Sequence, residues 1–167
     1  MGIEIERKYL VKKSVWRSHK ELLENQSPDF GVKYCQGYIP TTNATTVRIR
    51  IIGEQGYLTI KSQTVGHTRA EFEYPIPVND AQEMLNNLCL KPLIEKIRYK
   101  IQIDNLVWEV DEFLGENRGL IIAEIELENE DQSFELPNWI EREVNEQKYF
   151  NSYLVKHPYS QWEESQN

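Results

Sequence analysis

The residues best equipped for chemistry in this sequence come largely as like-charged pairs two positions apart. Glu4 and Glu6 precede Lys8; Arg48 and Arg50 follow, then Lys61, then Arg69 with Glu71 and Glu73; Lys96 and Arg98 come next, then Asp111, and finally Glu124 and Glu126. In an extended chain, side chains two apart point the same way, so each pair puts two like charges on one face. That costs energy unless a counter-ion or a facing strand compensates. Paired carboxylates attract hard cations such as Mg2+ or Mn2+, and paired guanidinium or ammonium groups attract phosphates. The sequence contains both kinds.

Elements that could position these groups are legible as period-two alternation at about 2–11, 33–39, 45–53, 56–63, 69–77, 94–103, 105–113 and 119–128, each with an apolar face opposite the charged one. Eight strands are predicted. Gly53-Glu54-Gln55-Gly56 and Asp104-Asn105 read as hairpin turns, because Gly and Asn tolerate positive backbone angles. Short amphipathic helices are expected at 14–25, capped by Ser14 with Val15, Trp16, Leu22 and Leu23 on the apolar face, and at 79–88, capped by Asn79 or Asp80 with Ala81, Met84, Leu85 and Leu88 on one stripe. A third helical region is expected from about Pro137 onward. The fold class is mainly β (α+β): an antiparallel barrel or strongly curved sheet decorated by short helices, one domain over 1–160 with 161–167 as a flexible tail.

Composition narrows the function classes. A net charge of -8 over 167 residues argues against a nonspecific binder of nucleic acid or anionic membrane. Any polyanion must therefore meet a local basic cluster. No stretch approaches the roughly 20 apolar residues needed to cross a bilayer. Cys35 and Cys89 have neither the number nor the spacing of a disulfide framework or zinc site, so a reducing, cytoplasmic setting is expected. His19, His67 and His157 lie outside the charged motifs, which speaks against histidine general-base or Ser/Cys nucleophilic chemistry. Trp16, Trp108 and Trp139 read as packing residues. The expected partner is a small molecule, and the expected state a monomer or homodimer.

Alternation alone fits a sheet whose charged face is merely solvated. The charge count supports another arrangement: Lys8, Arg48, Arg50, Lys61, Arg69, Lys96 and Arg98 balance Glu4, Glu6, Glu71, Glu73, Asp111, Glu124 and Glu126, seven against seven. A triphosphate of roughly -4 to -5 with about two divalent ions adds almost nothing to that sum, so one shared interior could hold everything near neutrality.

The opening Glu4-x-Glu6-x-Lys8, in the setting EIERKYLV, is followed in order by QGYI at 36–39, VRIR at 47–50, LTIK at 58–61, RAEFEY at 69–74, KIRYK at 96–100, WEVDEF at 108–113, AEIEL at 123–127 and NSYLVKHP at 151–158. This series resembles the CYTH family, also called triphosphate tunnel metalloenzymes, and especially its short bacterial single-domain members. The resemblance implies an eight-stranded antiparallel barrel enclosing a tunnel, with charged faces inward and apolar faces outward against helices. It implies that Glu4, Glu6, Glu124 and Glu126 hold a metal, Mg2+ or Mn2+. Lys8, Arg48, Arg50, Lys61, Arg69, Lys96 and Arg98 would grip a triphosphate. Glu71, Glu73 and Asp111 would serve a second metal or orient the attacking water, with Lys8 also acting in catalysis. The implied activity is hydrolysis of inorganic tripolyphosphate to pyrophosphate and phosphate. Alternatives are a nucleoside or thiamine triphosphatase, an adenylyl cyclase of the same fold, or, from another class, a noncatalytic polyphosphate- or nucleotide-binding protein.

Overall fold

Alternation becomes a closed wall in the computed structural model, which describes residues 2–27 and 30–162. The eight expected runs form β1 (Gly2–Val11), β2 (Gly31–Ile39), β3 (Thr46–Ile52), β4 (Gln55–Lys61), β5 (Thr68–Ile76), β6 (Ile94–Ile103), β7 (Leu106–Phe113) and β8 (Ile121–Glu126). Their order around the barrel is β5-β4-β3-β2-β6-β7-β8-β1, and β1 returns to β5 to close it, with every pairing antiparallel. The two expected hairpin turns are present, with Gly53 and Asp104 in the left-handed region at φ 59° and 56°.

The first strand divides its partners. Along one edge Glu6 to Leu10 pair with β8; along the other, Gly2 to Ile5 pair with β5, and Lys8 to Val11 pair with a ninth strand, β9 (Ile140–Val144). This corrects the expectation of helix from Pro137 onward. Ile140 and Val144 are buried, and β1 leaves an edge beyond Ile5 that needs hydrogen-bond partners.

Three helices cover the wall: α1 (Lys13–Gln26), α2 (Val78–Asn87) and α3 (Asn151–Lys156). Neither predicted cap is used. The first helix starts directly where β1 ends, because the Lys12 N–H donates to the Trp139 carbonyl at 2.7 Å and the Lys12 carbonyl accepts from Trp16 at 2.9 Å, which leaves Ser14 inside the first turn. The second helix begins one residue earlier than expected, after Pro77. Asn79 and Asp80 therefore sit within its first turn, where the Asp80 charge still favours the helix dipole.

Two apolar layers lie outside the barrel, as expected. Trp16 of α1 packs edge-on against Trp139 and Tyr99, over Tyr9, Trp108, Val110 and Ile125. Ala81 and Leu85 of α2 cover Ile49 at the other side. Gly56 permits that contact, since a Cβ there would stand 2.9 Å from the Ala81 Cβ. The third layer differs. Ile94 shares a strand face with Lys96, while Phe113 lies opposite Lys96 and Ile122 opposite Asp111, so these apolar side chains point into the barrel. Leu154 and Val155 of α3 pack on them. One end of the interior is thus apolar and stoppered by α3, a departure from uniformly charged inner faces. Gln161 and Trp162, expected in the flexible tail, are instead part of the fold: Gln161 closes a short 3-10 turn and Trp162 is buried in this layer beside Tyr149; residues 163–167 lie outside the described residues. Among the described residues no helix is long and apolar enough to cross a membrane.

Candidate active site

Above the apolar stopper the barrel encloses a cavity of about 370 Å³. The structure brings together Lys8, Arg48, Arg50, Lys61, Arg69, Lys96 and Arg98 on its lining, together with Glu4, Glu6, Glu71, Glu73, Glu124 and Glu126. Asp111 is the exception. It is fully buried behind the lining, where it accepts 2.7 and 2.8 Å hydrogen bonds from Arg98 and pairs with the Lys96 ammonium at 2.8 Å. Both carboxylate oxygens are occupied, which sets Asp111 apart from the expected role at a second metal or attacking water.

Charge is unevenly divided around the cavity. On the β1 and β8 side Glu4 accepts hydrogen bonds from Lys61 at 3.0 Å and Arg69 at 2.9 Å. Burial alone would raise its pKa, yet these two cations hold it at about 2. Lys8 bridges Glu6 at 3.0 Å and Glu124 at 2.9 Å. Burial and the Glu124 charge push Glu6 up to about 7, and burial together with Glu4, Glu71 and Glu109 raises Glu126. Glu124 is held well below its usual range: burial opposes this, and Lys8, Arg98 and Lys96 prevail. This side is crowded with oxygen donors that repel one another.

The β2, β3 and β6 side is the reverse. Arg50 donates to the neutral Gln36 at 3.0 Å, and its guanidinium and that of Arg98 stand 5.0 and 4.9 Å from the Tyr34 ring. Burial and the neighbouring Arg48 and Arg98 lower Arg50 to about 9. Arg48 reaches Thr59 at 3.2 Å and the half-exposed Glu73 at 3.4 Å. Its Nε is a buried donor without a hydrogen-bond partner, alone in this among the described residues. A buried orphan donor beside under-neutralised cations is what an anion would satisfy.

Lys96 gives this electrostatics a test. Burial, with Arg98 and Arg50 alongside, lowers it to about 7 from 10.5 despite the Asp111 partner. Below that pH the folded protein bears the full cost of the buried ammonium. The cost is relieved as pH rises from 7 toward 10.5, the window in which the unfolded chain still binds the proton. The stability of Lys96→Met relative to the parent is therefore expected to be greatest below pH 7 and to decline toward alkaline pH. Urea midpoints of both proteins across that window check this, and a flat difference counts against it.

Among the described residues no three carboxylate, histidine or cysteine groups are already gathered around one metal position. Glu4, Glu6 and Glu124 are turned to lysine and arginine partners instead. The donor set nonetheless suits a hard divalent cation, being all oxygen, with burial and neighbouring carboxylates together raising Glu6 and Glu126 above the usual carboxylate range.

Several lining residues escaped the sequence reading. Glu109 bonds Arg98 at 3.1 Å, and Lys100 lies on the lining too; both were legible as the same-face neighbours of Asp111 and Arg98. Gln36 and Asn151 sit in QGYI and NSYLVKHP, but an uncharged side chain carries no charge-pattern signal.

A closed antiparallel barrel whose inner wall sets crowded carboxylates beside guanidinium and ammonium groups has the chemistry to hold an anion together with a cation. The match to known sequences makes this specific. The CYTH domain matches residues 2–153, and the chain belongs to that family. It is 48% identical over 165 residues to an inorganic triphosphatase of Acetivibrio thermocellus, covering 98% of this chain and all of that protein. It is 34% identical over 154 residues to an inorganic triphosphatase of Nitrosomonas europaea, covering 88% of this chain and 92% of that protein. Among solved structures, a crystal structure of an inorganic triphosphatase superimposes with a TM-score of 0.60 at 31% identity, covering 93% of this chain and 95% of that one.

Proposed function

We propose that this protein is a divalent-metal-dependent inorganic triphosphatase that cleaves tripolyphosphate to pyrophosphate and phosphate inside its barrel. The observation that carries the reading is the polarised cavity: Arg50, which has no carboxylate partner, and the unpartnered Nε of Arg48 face crowded carboxylates across a space of about 370 Å³. The relatives' activity supports the choice of substrate.

In this reading Arg48, Arg50, Lys61, Arg69, Lys96 and Arg98 bind the phosphate oxygens, and Arg48 Nε gains its missing acceptor. Glu4, Glu6, Glu124 and Glu126 would hold Mg2+ or Mn2+, which would supply charge neutralisation and polarise the phosphoryl group. Lys8, between Glu6 and Glu124, holds a fixed positive charge beside those carboxylates and would help neutralise a bound phosphate. Glu71 and Glu73, on the more exposed stretch of the lining, orient the water whose oxygen attacks the terminal phosphorus. The attacking water loses a proton by way of those carboxylates to solvent, the bond to the bridging oxygen breaks, and the departing pyrophosphate leaves with its charge compensated by the surrounding cations. Asp111 keeps Lys96 and Arg98 aimed inward. Cys35 and Cys89 are free thiols, in keeping with a cytoplasmic setting.

The test is a product assay with tripolyphosphate, ATP and thiamine triphosphate, each with Mg2+, Mn2+ or EDTA. Orthophosphate should form from tripolyphosphate far faster than from ATP or thiamine triphosphate, and not in EDTA. Cyclic AMP as product would point to a cyclase, and binding without turnover to a noncatalytic binder.

A further inference from the structure

The stoppered end of the cavity carries a buried hydrogen-bond chain that neither strand pattern nor charge pairing required. Lys96 donates to Asn151 Oδ1 at 2.9 Å, and Gln36 Nε2 donates to the same oxygen at 3.5 Å. Gln36 in turn accepts from Arg50 Nε at 3.0 Å and donates to the Tyr38 hydroxyl at 2.8 Å. The donors fix both amides. Lys96 has no acceptor to offer, so Asn151 must present its oxygen to it, and Arg50 likewise requires the oxygen of Gln36. Two neutral amides thus join two cations that would otherwise only repel.

Asn151 differs from the other members because it is not on the barrel. It opens α3, the helix anchored by Leu154 and Val155 in the apolar stopper. The Lys96 ammonium is therefore held from two directions, by Asp111 on the inner face beneath the lining and by Asn151 above the stopper. A flexible lysine stem with three donors takes its position from its acceptors.

We propose that Asn151 is a positioning residue that holds the Lys96 ammonium at the closed end of the cavity and so makes the docking of α3 a condition for a complete phosphate grip. This deepens the triphosphatase reading and rests on it for the identity of the anion. Lys96, bonded to Asn151 on one side, Asp111 on another and flanked by the Phe113 ring at 5.5 Å, has its place set by the two acceptors together. With Asn151 gone, the ammonium retains Asp111 alone and withdraws toward the wall.

A double-mutant cycle on the full chain tests this: Asn151→Ala, Lys96→Met and the double variant. Tripolyphosphate affinity is read by calorimetry in EDTA, kcat and KM with Mg2+, and folding by thermal melts. Asn151→Ala is expected to weaken affinity about tenfold in the parent and less than twofold in the Lys96→Met background, the signature of action through that ammonium. Asn151→Asp keeps the accepting oxygen and the side-chain shape; it should recover kcat while KM stays raised by the added negative charge. Equal losses in both backgrounds, or no loss in the parent, overturn the proposal. If Asn151→Ala melts before assay, Asn151→Asp decides: joint loss of kcat and KM without the split overturns it too. Binding of tripolyphosphate by the parent without turnover would sink the triphosphatase reading and leave this inference decided by the affinities; turnover without measurable binding in EDTA leaves it decided by the same cycle read as KM with Mg2+, and absence of both binding and turnover overturns both.

Discussion

Asp111→Asn is expected to cost about 3–5 kcal/mol of folding stability, the range for removing one member of a buried ion pair. The Asp111 carboxylate is fully buried, takes two hydrogen bonds from Arg98 and pairs with Lys96, so its charge offsets two largely buried cations. Arg50 stands close enough to both to add to the repulsion once that offset is lost. Urea unfolding in EDTA measures the loss. Added tripolyphosphate should restore part of it, because an anion that binds only the folded state supplies negative charge to the same cations. A loss below about 1 kcal/mol, as for a solvent-screened pair, would show that Asp111 does not carry this burden.

Glu126→Gln is expected to have the opposite profile. Among the described residues Glu126 makes no ion pair, is exposed, and faces Glu4, Glu71 and Glu109. Removing its charge relieves repulsion in the empty site and removes a metal donor from the loaded one. Metal-dependent turnover of tripolyphosphate should fall on the order of 10²–10³-fold, the usual effect of deleting one element of an electrostatic site. The thermal midpoint should stay within about 2 °C, less than 1 kcal/mol for a chain this size. Glu4→Gln makes the contrast, since Glu4 also anchors Lys61 and Arg69 and its loss affects fold and turnover together. Near-normal turnover by Glu126→Gln would remove that residue from the metal-binding set.

What could be read from the chain follows from periodicity. Eight strands announced themselves because each alternates over many residues, and charge pairs such as Arg48 with Arg50 marked which face lines the cavity. The ninth, β9, did not. Ile140–Val144 is too short to stand out, and its stability comes from the edge that β1 exposes once β5 has taken only Gly2 to Ile5. Nor could pattern distinguish Asp111 from Glu109, which share a face. Only the closed barrel shows that Arg98 and Lys96 cover the first and leave the second on the lining. The apolar stopper was hidden for a related reason: Ile94 and Phe113 continue faces that are charged a residue pair away, and α3 supplies the partner from far along the chain. Helix starts failed because tertiary hydrogen bonds, such as Lys12 to Trp139, outrank a local cap.

The division of β1 between partners also bears on how the molecule reaches its working form. Glu4 lies in the segment that meets Arg69 on β5, whereas Glu6 and Lys8 meet Glu126 and Glu124 on β8, so one strand draws in chain from about two fifths and three quarters of the way along. Such distant pairings are slow to form, because loop closure must precede any gain from contact. The carboxylate side of the cavity is therefore assembled by the contacts of greatest sequence separation. An incompletely zipped chain has the hairpin cations of β3 and β4 but no opposing acidic wall, and recovery of activity during refolding reports barrel closure rather than secondary structure.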